Sequence, residues 1–68
     1  MSIAKVIELV ADSDKSFEDA VQQGLAAAAQ TVHGITGLDV KNMTARVENN
    51  RITRYKVTLH IAFQVDRT

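Results

Sequence analysis

The sequence predicts an α+β fold, a β-α-β-β unit in which one helix packs on a three-stranded antiparallel sheet. Three observations predict it. Between Ile52 and Val65, the apolar Tyr55, Val57, Leu59, Ile61, Phe63 and Val65 take every second position, with Arg54, Lys56, Thr58, His60 and Gln64 between them. That is the period of a strand with one buried face. From Phe17 onward, Phe17, Ala20, Val21, Leu25, Ala28 and Val32 recur at threes and fours with Gly24 on the same stripe, the period of an amphipathic helix. Between these stretches, Glu48-Asn49-Asn50-Arg51 centres two Asn residues, which tolerate positive φ, in a two-residue hairpin turn.

Each element follows from local chemistry. Ile3 to Val10 is short, apolar and charged only at Lys5 and Glu8, which predicts the first strand. Ala11 to Ser16 reads as a polar connection, with Ser13 or Ser16 as helix cap; Ser16 and Asp19 have the spacing of a capping box, with Asp replacing the usual Glu. The helix stripe is rich in Ala and Gly, which permits close approach to a sheet. Gly34 supplies a left-handed residue to end the helix, and His33 just before it complements the helix dipole. Leu38 to Val47 forms the second strand and Ile52 to Val65 the third. Uninterrupted pairing outward from Glu48 and Arg51 sets Thr44 opposite Tyr55, Asn42 opposite Val57, Val40 opposite Leu59 and Leu38 opposite Ile61. The other face then pairs Ala45 with Arg54, Met43 with Lys56, Lys41 with Thr58, Asp39 with His60 and Gly37 with Ala62. On this register Arg54 and Lys56 share a face and Arg46 points away.

Length and composition bound the function. The 68 residues predict one domain spanning 1–68, too short for a large core without stapling or oligomerisation. Cysteine is absent, which excludes disulfides and thiolate metal sites. No apolar run reaches the length of a membrane span, and the MSIAKVIELV start interrupts its apolar stretch with a charge, so a soluble cytoplasmic protein is expected. Net charge is zero, but Asp12, Asp14, Glu18 and Asp19 crowd the first half and Lys41, Arg46, Arg51, Arg54 and Lys56 the second. This split suits head-to-tail contacts or an anionic ligand better than nucleic acid. At about 3.3 Å per residue the third strand would run roughly 46 Å, against roughly 17–20 Å for a typical strand. Other copies of the chain are expected to cover part of it.

The residues KVIELV, the helix pattern S-x-x-S-F-x-x-A-V-x-x-G-L-x-x-A-x-x-T from Ser13 to Thr31, and YKVTLHIAFQVD from Tyr55 to Asp66 resemble the dodecins over nearly the whole chain. The resemblance implies a β-α-β-β chain in a hollow homododecamer that binds flavins (riboflavin, FMN or FAD) as a store or scavenger. It also implies a site made of a tryptophan before the second strand, stacked on the isoalloxazine ring, and a glutamine in the third strand. Gly37 and Lys56 stand at those positions. Losing the indole removes a contact of about 1–3 kcal/mol, which predicts flavin binding weakened by one or two orders of magnitude.

Other side chains have the chemistry of ligands or catalysts. Asp12-x-Asp14-x-Ser16-x-Glu18 alternates oxygen ligands like the opening of a calcium loop, but Phe17 and Gln23 occupy the places of the EF-hand Gly and bidentate Glu. The alternative reading is a mainly structural assembly without flavin, or a different calcium site on Asp12, Asp14 and Glu18, completed by a neighbouring subunit. The resemblance supports the calcium site, since some dodecins lacking the flavin tryptophan bind calcium. Otherwise these acids cap the helix and stay solvated. His60 opposite Asp39 lacks a Ser or Cys nucleophile and reads as a cross-strand ion pair, so no enzyme is predicted. Arg54 and Lys56, with Gly37 from another subunit, form the expected cofactor-binding set; Arg46, Arg54 and Lys56 read either as phosphate-binding candidates or as partners in subunit-contact ion pairs.

Overall fold

The alternation from Tyr55 to Val65 builds the middle of the sheet. In the computed structural model, which describes residues 3–65, the chain runs through β1 (Ile3–Ser13), α1 (Phe17–Ala29), β2 (Ile35–Glu48) and β3 (Arg51–Val65). Both flanking strands pair antiparallel with β3, giving the sheet order β1-β3-β2. The β-α-β-β arrangement is the one the sequence predicts. Asp66, at the end of the quoted strand motif, lies outside the described residues.

The odd-numbered residues of β3 face the helix. Val57, Leu59 and Ile61 are fully buried with Ala20, Ala28 is nearly so, and Ile7, Leu9, Ala11, Phe17, Val21, Ile35 and Leu38 pack around them. Two departures from the expected stripe follow from how the helix sits. Its closest line to the sheet is Ala20, Gly24 and Ala28, so Leu25 falls to the flank, half-buried. A Cβ on Gly24 would lie 2.6 Å from Leu59 Cδ1 and 3.2 Å from both Ala11 Cβ and Leu9 Cδ1. Gly24 therefore sets the helix-sheet distance, outweighing the roughly 1 kcal/mol by which Gly disfavours a helix interior.

β1 continues three residues past Val10, because Ala11 pairs with Val57 and Ser13 with Tyr55 and both point toward the helix. Ser16 is the N-cap, extended at φ −169° and accepting a hydrogen bond from the Asp19 amide. The capping box is only half formed. The Asp19 carboxylate turns instead to Ser13 Oγ and Gln23 Nε2, each at 2.6 Å, while Ser13 Oγ also accepts from the Lys15 amide. At the other end the helix stops at Ala29, earlier than expected, with the Thr31 and Val32 amides both donating to the Ala28 carbonyl. Val32 and His33 thus lie beyond the helix. Gly34 has the expected positive φ of 78°, but it serves the entry to β2, where its carbonyl accepts from the Gln64 amide at 2.8 Å.

The Ser13 and Gln23 hydrogen bonds hold the Asp19 carboxyl below the usual carboxylate value; partial burial opposes them and the Lys15 charge adds to them. A depressed carboxyl stabilises the fold above its unfolded-state pKa, and that contribution is lost as pH falls through the folded-state value. Ser13→Ala should therefore lower the melting temperature at neutral pH and lose that deficit in acid. Melting curves across the acid range check this, and a deficit independent of pH would refute it.

The Asn49-Asn50 turn is as expected, with both φ positive at 54° and 63°. The register beyond it is only partly so. Pairing starts at Glu48 with Arg51 and Val47 with Ile52, then slips by one residue, so that Arg46 meets Arg54, Ala45 meets Tyr55, Thr44 meets Lys56 and Met43 meets Val57. A second irregularity between Val40 and Asn42 cancels the slip, restoring Val40 to Leu59, Asp39 to His60, Leu38 to Ile61 and Gly37 to Ala62. Between the irregularities every β2 side chain is on the face opposite to the expected one.

Candidate functional site

Two regions of the sheet face opposite the helix carry the side chains of interest. At the hairpin end, the register correction turns Arg46 to the same face as Arg54 and Lys56. Arg46, Arg54, Lys56, Thr44, Ala45 and Asp12 line one cavity of about 230 Å³. An uninterrupted register points Arg46 away from Arg54 and Lys56, and the slipped pairing brings it to their face. Asp12, expected in the polar connection, instead sits in β1 opposite Lys56. Its Oδ1 lies 3.8 Å from Arg54 Nη2, with both side chains about half exposed, a pair worth under about 1 kcal/mol.

At the other end Gly37 pairs with Ala62. A Cβ built there meets nothing within 4 Å, and its φ is not in the left-handed range, so the backbone accepts a large side chain. Gly37 and Lys56 share the helix-free face but are separated by the β3 run from Ala62 to Lys56, roughly 20 Å at about 3.3 Å per residue. One chain does not bring Gly37 together with Arg54 and Lys56.

His60 lies between these ends. Asp39 is its cross-strand partner, yet its near carboxylate is Glu8 on β1, where His60 Nε2 is 3.8 Å from Oε2. Glu8 reaches His60 only through the β1–β3 register, which no local sequence signal sets. Asp12, Asp14 and Glu18 occupy β1, the β1–α1 connection and the first helical turn respectively. Among the described residues no three His, Asp or Glu side chains gather as a metal-binding set, so within one chain these three acids stay apart.

With fold and face established, comparison with known proteins is decisive. The dodecin family profile matches residues 3–66. The chain belongs to the dodecin family. A dodecin from Thermus thermophilus is 29% identical over 66 residues, covering 97% of this chain and 96% of the relative. The crystal structure of a mutant T. thermophilus dodecin superposes with a TM-score of 0.92 at 28% identity, covering both chains completely. The calcium dodecin of Mycobacterium tuberculosis, named as a calcium-chelating antigen with a novel calcium-binding site, gives a TM-score of 0.80 at 25% identity over 98% of this chain and 96% of that one. Gly37 offers open space without a stacking surface, and Lys56 places a cation beside two arginines.

Proposed function

We propose that the chain forms a cytoplasmic homododecamer, a non-catalytic shell that binds and stores a small molecule. The observation that carries this reading is the uncovered apolar surface along an outstretched sheet. The chain measures 55 × 19 × 13 Å with a radius of gyration of 14.2 Å, against about 11 Å for a compact chain of this length. The helix packs mainly on β1 and β3. Val40 and Met43 on the helix side of β2 are 42% and 55% exposed, and Val6 and Val10 on the opposite side of β1 are 59% and 60% exposed. Burying such a side chain fully stabilises by about 1.5–3 kcal/mol, and subunit contacts are the source of cover that suits a family of small chains. Light scattering on the purified protein should give a particle of about twelve chains; a stable folded monomer would overturn the reading.

In this shell the ligand site is built between subunits, with Gly37 of one chain facing Lys56 and Arg54 of another. A flavin or related cofactor binds there weakly, because no aromatic ring stands at Gly37 and Lys56 provides no amide. A second reading is favoured by the calcium dodecin among the relatives. In it, Asp12, Asp14 and Glu18 of neighbouring subunits bind calcium, and the ion competes with Arg54 for Asp12. Calorimetric titration with calcium and with riboflavin separates the two readings.

A further inference from the structure

The middle of the helix-free face carries a row of three titratable side chains that the proposed ligand site does not use. His60 on β3 pairs with Glu8 on one side and Asp39 on the other, so the three stand on one face in a line across the strands. His60 Nε2 lies 3.8 Å from Glu8 Oε2. The flanking side chains on this face are uncharged: Thr58 and Ala62 beside His60, Val10 and Val6 beside Glu8, and Gly37 opposite Ala62. Lys56 is the next cation along β3, beyond Thr58 and opposite Asp12, and Lys41 sits at the strand irregularity after Val40. The helix packs on the other face and presents no charge to the row.

Glu8 lies between Val6 and Val10, which are 59% and 60% exposed. In the assembly proposed above, a subunit that covers both valines covers Glu8 as well. In the single chain the His60 and Glu8 side chains are 35% and 64% exposed, and water screens the pair. Under a covering subunit the carboxylate loses that water, and a buried carboxylate requires a partner. Protonated imidazole is such a partner: it donates from both nitrogens and places a positive charge between Glu8 and Asp39. Neutral imidazole leaves two carboxylates on a covered face with no cation between them.

We propose that Glu8, His60 and Asp39 form a pH-sensitive switch on subunit assembly. Protonated His60 lets a second copy of the chain cover the helix-free face around Val6 and Val10, and loss of the proton weakens that contact. By linkage, the assembled state holds the His60 proton more tightly than the separated chain does. Assembly is therefore strongest below the ordinary imidazole range and weakens as pH rises through it. The switch rests on the proposed assembly and needs no ligand.

Light scattering during a thermal ramp, at about pH 5.5, 7 and 8, reads both the particle and the midpoint of its dissociation. The midpoint should fall by several degrees from the lowest pH to the highest. A folded monomer at every pH would refute the assembly and the switch together, whereas a particle with one midpoint at all three would refute the switch alone. His60→Gln should show the low midpoint throughout, and His33→Gln, at the other histidine, should keep the parent's dependence. Glu8→Gln removes the charge that needs the proton. It should raise the midpoint at the highest pH toward the parent's value in acid, a gain that losing a merely structural contact does not give. His60→Lys carries a fixed charge, should give a midpoint insensitive to pH over this range, and covers the case in which His60→Gln does not assemble. The parent's pH dependence persisting in His60→Gln or His60→Lys, or a Glu8→Gln particle weakened at every pH, would overturn the proposal.

Discussion

Ala20→Asp should leave the chain unable to fold or assemble. Ala20 is fully buried against Val57, Leu59 and Ile61, and the nearby helix line passes so close to the sheet that Gly24 has no room for a Cβ. A carboxylate there has neither water nor a cation, and an unpaired buried charge costs on the order of 4 kcal/mol or more. Total stability of a small domain starts from about 5 kcal/mol, so one substitution consumes most of it. Leu25→Asp is the control: Leu25 is only half-buried on the helix flank, its new carboxylate can reach water, and the cost should stay within about 2 kcal/mol. Circular dichroism melts with light scattering on both variants measure the contrast. An assembled Ala20→Asp protein that melts like the parent would show that the helix packs by a different line.

Gly37→Trp combined with Lys56→Gln should tighten riboflavin binding at least tenfold over the parent, which binds weakly or not at all. The structure removes the main steric objection, since nothing lies within 4 Å of a Cβ at Gly37. Most of the gain should come from the tryptophan, because stacking on the isoalloxazine ring provides the larger contact. The glutamine adds an amide hydrogen bond and removes a cation. Because roughly 20 Å of strand separates the two positions within one chain, the gain should also require the assembly, with each residue supplied by a different subunit. Quenching of riboflavin fluorescence measures it. Quenching by the parent as strong as that of the double variant would mean that flavin is held by another arrangement.

Much of the fold was legible because its signals are periodic and local. The two-residue alternation of Tyr55 to Val65, the three-and-four spacing from Phe17 to Ala28 and the Asn49-Asn50 pair each encode an element without help from distant residues. Ser16 was legible as one of two candidate caps for the same reason, since its hydrogen bond reaches only three residues. The Gly37 end of the candidate site was equally readable: its pairing with Ala62 survives because the two inner register shifts cancel before that point.

The cavity at the hairpin end was not legible. An irregularity in the pairing is a compromise between neighbouring strands over twist and side-chain fit, and no Gly or Pro marks it near Thr53 or Lys41. One slipped residue reverses the face of each side chain along a strand, and here it decides whether Arg46 joins Arg54 and Lys56. Asp12 reaches the same place only because β1 extends past Val10 along the full middle strand. The sequence by itself determined the element order, the buried face of β3, the hairpin turn and the absence of an aromatic ring at Gly37, because each depends on residue type and short-range spacing. Tertiary structure alone decided that Gly24 rather than Leu25 meets the sheet, that Asp19 turns to Ser13, and that three cations share a cavity, because those outcomes depend on how close two elements come and in what register they pair.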